Sequence, residues 1–214
     1  MTYLSDKEQA QILKDLWKKY GFTILLSILI FLSVNFLWRY WLQYQTQQHE
    51  RASIVFSQMI NAQTQNKTSE AELFATNLMK NFSHSAYASF AAMQRASEAV
   101  KNNNLATAQT NLNWVINHAR KGELSGLARI RLARVLIADN KPQEAFSLLE
   151  KNTSTLYLPA KYEIMGDALI AQNKPQEALT FYRKALEQND NSNKDALPSP
   201  LLKIKSEQLA PSVN

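Results

Sequence analysis

Histidines and paired carboxylates are the side chains through which this sequence would do acid–base or metal chemistry. His49, His84 and His118 are the only histidines, far apart in sequence. None has a second histidine one helical turn away, so the spacing of a zinc-ligand pair is absent and each reads as a surface or partly packed residue. Glu163 and Asp167 stand four residues apart, one helical turn, and share a face. Such a pair can exchange protons with a substrate or face a partner. Without a surrounding pocket signature the second use, or plain solvation, is the better reading. The chain has no cysteine, which removes thiolate metal sites, cysteine nucleophiles and disulfides together. Its four glycines, Gly21, Gly122, Gly126 and Gly166, sit in unrelated contexts, so none builds a phosphate-cradling loop. There is no G-x-S-x-G nucleophile elbow. The sequence reads as a non-enzymatic protein without catalytic residues, metal or cofactor.

What positions the remaining polar groups is a helical scaffold. Few glycines and abundant Ala, Leu, Gln, Asn and Lys favour helices over sheets. The net charge is +6, but the cations are scattered and the longest run is Lys18-Lys19. That distribution suits a solvated surface beside anionic lipid and argues against nucleic acid as a partner.

The N-terminal part holds the strongest single signal. From Gly21 to Trp38 there is no formal charge; as a helix this run is roughly 27 Å long, near the thickness of a bilayer's hydrocarbon core. Trp17 and Tyr20 flank one end and Trp38, Tyr40 and Trp41 the other, as aromatic rings do at both lipid–water boundaries. The run exits into Trp38-Arg39-Tyr40-Trp41, which offers no small-residue cleavage site, so the segment reads as an uncleaved anchor. Lys7, Lys14, Lys18 and Lys19 precede it against Arg39 and Arg51 after it, which predicts a cytoplasmic N-terminus. Thr23 and Ser27, one turn apart, either form a small face for packing on another membrane helix or bond back to their own helix carbonyls. Ser5-Asp6-Lys7-Glu8 predicts a capping box for a short amphipathic helix running into the span.

The predicted organisation is an amphipathic segment over 1–20, the anchor over 21–41, a polar helical spacer over 42–50 and a globular domain over 51–214. Within the last, Ala52, Val55, Phe56, Met59 and Ile60 form an apolar stripe. Asn61 to Thr68 reads as a loop, followed by a second capping box, Ser69-Glu70-Ala71-Glu72. The hexapeptide Asn-Lys-Pro-Gln-Glu-Ala occurs at 140–145 and again at 173–178, a spacing of 33. That period, with helical patterning on both sides, predicts stacked helical hairpins. The residues fit a tetratricopeptide pattern: Tyr162, Met165-Gly166 and Leu169 in one helix of the last unit, Ala178, Tyr182 and Ala185 in the other. A looser unit precedes it, through Leu132-Ala133, Leu136, Ala145 and Leu149. A third passes through Ala96, Ala108 and Leu112, offset by 37. The tail after Pro200, with Leu201, Leu202, Ile204 and Leu209, predicts a short capping helix.

The fold expected is therefore all-α: an N-terminal transmembrane helix followed by a tetratricopeptide-like α-solenoid of stacked helical hairpins. The inner helices of such a stack line a groove, here assigned to Leu127, Ile130, Arg134, Ile137, Glu163, Asp167 and Ile170, a mixture suited to a peptide partner. Ile130, Ile137 and Ile170 are equally readable as core between repeats.

Four segments are distinctive: the anchor exit at Trp38-Arg39-Tyr40-Trp41, RASIVFSQ from Arg51, YASFAAMQRASEAVKNNNLATA from Tyr87 and LARIRLARVLIADNKPQEA from Leu127. Through them, and over almost its full length, the sequence resembles the YfgM-type ancillary subunits of the SecYEG translocon. The resemblance implies a single-pass type II protein of the bacterial inner membrane with a periplasmic tetratricopeptide-like domain. It also implies association with the SecYEG translocon and with a periplasmic chaperone such as PpiD, and a part in passing exported polypeptides to chaperones. A scaffold or regulator of another cell-envelope complex is the alternative that the same repeats would serve.

Overall fold

The computed structural model describes residues 6–119, 122–152, 156–192 and 200–209. Nine helices make up the described residues, with no strand: α1 Asp6–Thr64, α2 Thr68–Asn81, α3 Ala86–Lys101, α4 Leu105–His118, α5 Glu123–Ala138, α6 Pro142–Glu150, α7 Leu158–Ala171, α8 Pro175–Ser192 and α9 Pro200–Leu209. The chain divides into two compact units, Met1–Arg51 and Ala52–Asn214.

In the first unit, α1 is the one helix among the described residues long and apolar enough to cross a membrane. The large apolar side chains described along it, among them Phe22, Leu25, Ile28, Phe31, Phe36 and Trp41, point outward, Phe22 with 81% of its surface exposed. A helix with apolar groups around its circumference needs an apolar solvent, which lipid supplies. The hydroxyls inside the span are satisfied locally. Ser27 Oγ donates to the Thr23 carbonyl at 2.7 Å and Ser33 Oγ to that of Leu29 at 2.8 Å. The ring of Trp17 lies against Gly21, and Trp38 stacks obliquely on Trp41 with centroids 5.8 Å apart. Ser5, the expected cap of α1, lies outside the described residues.

In the second unit one turn recurs four times and sets the architecture. Asn66, Asn103, Asn140 and Asn173 all take left-handed backbone, with φ of 58°, 55°, 57° and 59°. The following N–H reaches back over the helix end each time: Lys67 to the Ala62 carbonyl, Asn104 to Ala99, Lys141 to Leu136 and Lys174 to Leu169, at 2.7 to 2.9 Å. These are Schellman closures with asparagine in the place usually taken by glycine, which a short amide side chain tolerates. Five residues after each asparagine stands a buried alanine, Ala71, Ala108, Ala145 or Ala178. The hexapeptide of the sequence is thus the last two copies of a turn used four times. Each part of it has a role. Asparagine turns the chain, proline opens α6 and α8 where no N–H is needed, glutamate sits in the positive first turn, and alanine lets the helices approach.

Four hairpins follow: the end of α1 with α2, α3 with α4, α5 with α6, and α7 with α8. The unit through Ala96, Ala108 and Leu112 is the α3–α4 hairpin, all three residues being buried. The loop expected over 61–68 is shorter, because α1 continues to Thr64 and α2 begins at Thr68. The Ser69 capping box is not formed. Lys67 occupies the cap position and gives no side-chain bond, since the Schellman turn at Asn66 already fixes the entry to α2. Ser85 and Asn104 do cap α3 and α4, accepting from Ala88 and Thr107 N–H at 3.1 and 3.0 Å.

The cores are built on small residues. Ala88, Ala91, Ala92, Ala128, Ala133, Ala145, Ala168, Ala178 and Ala185 are completely buried. Larger groups such as Leu78, Leu112, Leu149 and Ile164 fill the spaces between. Lys161, nine-tenths buried, spans a hairpin junction: its ammonium donates to the Asn152 carbonyl just beyond α6 at 2.5 Å. Burial pulls its pKa below the usual lysine range. The tail helix α9 packs on α8 through buried Leu202.

Candidate binding groove

Helices α3, α5 and α7 lie beside one another, whereas among the described residues α4, α6 and α8 pack mainly on the helices next to them in sequence, with one edge-to-face ring contact, Phe146 to Phe181, between α6 and α8. The first helix of each hairpin therefore faces a common inner surface. Against it, between α3, α5 and the end of α1, lies a groove of about 600 Å³. Its apolar wall is formed by Phe56 and Ile60 of α1, Phe90 and Met93 of α3, and Leu127 of α5. Phe56 and Phe90 are held by ring contacts, with centroids 6.2 Å apart, and Phe56 also leans on Tyr87 at 5.5 Å. Phe90 is 43% exposed despite these contacts, and Ile60 and Val100 are similarly open. Scattered exposed apolar residues are ordinary, but here they converge on one concavity.

The charged groups in the lining are all cationic, beside the neutral Gln94 and Ser97. Lys101, Arg131 and Arg134 reach it from α3 and α5, all exposed. Arg131 lies across the apolar wall, Nη1 3.5 Å from Met93 Sδ. Arg95, by contrast, is used inside the fold: it pairs with Glu72 of α2 and touches Met79 Sδ at 3.3 Å.

A second, smaller hollow of about 300 Å³ lies at the far end of the stack, between Asp167, Ile170, Tyr182, Lys205, Gln208 and Leu209. Lys205, from α9, donates to Glu163 Oε1 at 3.0 Å and to both oxygens of Asp167 at 2.8 and 3.0 Å. Tyr182 donates its hydroxyl to Asp167 Oδ1 at 2.7 Å. Burial draws the Lys205 pKa down, but hydrogen bonds and attraction from Asp167 and Glu163 outweigh it and leave it above the usual lysine range. Burial, then the bond to Asp167, pushes the Tyr182 hydroxyl well up. The two carboxylates face a lysine of the same chain. Their arrangement is that of an internal clasp.

The residues assigned to the groove from the sequence thus fall in three places. Leu127 and Arg134 line the large groove. Ile130 is 4% exposed within the core, and Ile137 packs partly buried against it. Glu163 and Asp167 hold Lys205, and Ile170 is exposed beside Asp167. Thr23 and Ser27 are joined within α1 by the hydroxyl-to-carbonyl bond. Sequence reasoning did not assign Phe56, Ile60, Phe90, Met93, Lys101 and Arg131 to the groove. The αL asparagine at 103 would have fixed the register of α3 and exposed its inner face. Among the described residues no cluster of three or more His, Asp or Glu side chains is placed to hold a metal ion, and His118 stacks on Trp114 at 4.2 Å.

Comparison with known proteins agrees with this architecture. The chain is 28% identical to the ancillary SecYEG translocon subunit of Haemophilus influenzae over 168 residues, covering 78% of this chain and 82% of that protein. It is 26% identical to the protein of the same name from Aggregatibacter actinomycetemcomitans over 211 residues, 98% of this chain and the whole of that one. The Escherichia coli protein of that name is 21% identical over 170 residues, 78% of this chain and 80% of its own. No solved structure matches the chain significantly. The family described as tetratricopeptide repeat-like domain matches residues 14–211, a span that takes in all four hairpins. By that match, and by the repeated hairpins it covers, the chain belongs to the tetratricopeptide repeat-like domain family.

Proposed function

We propose that this protein is a non-enzymatic adaptor of the SecYEG translocon. It is anchored in the bacterial inner membrane by residues 21–41, with the N-terminus cytoplasmic and the repeat unit periplasmic. Through that unit it helps pass exported polypeptides to periplasmic chaperones such as PpiD. The observation that carries the reading is the open, apolar groove on the inner face of the stack, sized for a few side chains of an extended or helical segment. The names of the three relatives supply the partner, and the apolar first part of α1 supplies the attachment.

Site-specific photo-crosslinking in membranes tests it. A crosslinker at Phe90, in the groove, is expected to capture translocon subunits, a chaperone or an emerging chain, whereas one at exposed Gln143 on α6 captures none. Equal labelling from both positions, or capture only of unrelated envelope proteins, would overturn the proposal. Protease added to spheroplasts is expected to degrade the repeat unit; its survival until the membrane is broken would reverse the orientation.

A further inference from the structure

We infer that the groove selects polypeptide segments that are acidic as well as apolar. This rests on the reading of the groove as a peptide site and adds the chemistry of its ligand. The lining contains three cations, Lys101, Arg131 and Arg134, and no Asp or Glu. Lys101 is offset by Glu98, 2.8 Å away on the same helix. Arg131 and Arg134 have no carboxylate in ion-pair reach among the described residues. The two arginines stand three residues apart on α5, so both guanidiniums serve one side of the groove.

The other end of the stack sharpens the contrast. The carboxylates that would welcome a basic segment, Glu163 and Asp167, are already bound to Lys205 of α9. What is left open is apolar wall and positive rim. A segment carrying Leu or Phe anchors with Asp or Glu one turn away buries the anchors on Phe56, Phe90 and Leu127. It also offers each guanidinium a planar carboxylate, the partner that an arginine fork fits best. A basic segment brings like charge to two uncompensated arginines, which disfavours it.

Binding of labelled amphipathic peptides to the full-length protein in nanodiscs of neutral lipid tests this. Three peptides share the same apolar anchors and differ only in having Glu, Gln or Lys at the polar positions. The expected order is Glu, then Gln, then Lys, with Glu about three- to tenfold tighter than Gln and the gap closing as salt is raised. The double variant Arg131→Gln, Arg134→Gln should bind the Glu and Gln peptides alike, so that the Glu-over-Gln ratio of the parent is lost. Phe90→Ser should weaken all three peptides. Equal binding of Glu and Gln peptides by the parent overturns the acidic preference while leaving the groove reading intact. If no peptide binds and Phe90→Ser changes nothing, both fall. The inference is also overturned if vesicles with anionic lipid, and not the peptide, distinguish the parent from the double variant, since the arginines then serve a membrane surface.

Discussion

Tyr182 of α8 lies against Gly166 of α7 so closely that a Cβ at position 166 would stand 2.4 Å from its ring carbon Cε1 and 2.7 Å from Cδ1. The ring is 2% exposed and anchored by its hydroxyl to Asp167, so it cannot swing aside without breaking that bond. Glycine at 166 is what lets the last hairpin close, and it does so by taking up no space.

Gly166→Ala is therefore expected to destabilise the repeat unit by about 1–3 kcal/mol, the usual cost of overpacking, even though alanine favours helices. Gly126→Ala is the control. There the new methyl would meet only the ring of Tyr157, at 3.3 Å, and that ring is 38% exposed and free to give way. Its effect should be near zero or stabilising. Urea unfolding of both variants, compared at equal m, measures the difference.

The clasp at the end of the stack gives a pH prediction. Lys205 and Tyr182 both have pKa values raised on folding. Their contribution is therefore complete below their ordinary values near 10 and is lost as pH rises through the folded ones. Stability should fall from about pH 10 upward. Tyr182→Phe should flatten that fall, and Lys205→Met should flatten it further. Denaturant midpoints from pH 8 to 11 would show it.

Removing the clasp should act locally. In Lys205→Met, amide exchange is expected to speed up in α9 while α3 and α5 keep their protection, since among the described residues α9 contacts α8 and, through Lys205, α7. Faster exchange throughout the stack would mean that α9 supports every hairpin.

The left-handed turns predict a chemical preference. Asn103→Gly should be tolerated, because glycine enters that region without steric cost, whereas Asn103→Val should cost about 1–2 kcal/mol. Thermal or urea denaturation distinguishes them, and the same ordering is expected at Asn66, which has no proline nearby to share the work.

In the membrane segment, Ser27→Leu is expected to leave insertion and co-purification of partners unchanged, because the hydroxyl already serves the Thr23 carbonyl. Loss of partner on substitution would assign Thr23 and Ser27 to a helix–helix contact.

How much of this was legible in sequence depended on how far apart the interacting residues lie. The last two hairpins were plain, because identical demands at Asn140 and Asn173 left identical hexapeptides. The turn at Asn103 was only partly visible, since proline is absent there and only the asparagine at 103 and the alanine at 108 repeat. At Asn66 the signal was overlooked: Ser69 and Glu72 mimic a capping box, and the residue that sets the turn precedes them. The groove was harder. Its wall draws on Phe56 and Phe90, 34 positions apart, which periodicity assigns to separate stripes. The pairing of Glu163 and Asp167 with Lys205 needs a contact across 42 and 38 residues, into a tail with no repeat signature of its own.

That 42-residue reach is the longest side-chain hydrogen bond among the described residues. Even so it joins α9 to α7, and every helix of the stack rests on neighbours one or two elements away. A chain wired so locally has low contact order, and it can assemble in the order in which it is synthesised. The groove needs only α1, α3, α4 and α5, so its walls are in place once the chain has been extended to about residue 138. Lys205 reaches its carboxylates last, after the groove has been made. During biogenesis the groove end of the repeat unit is thus complete before the other end is fastened.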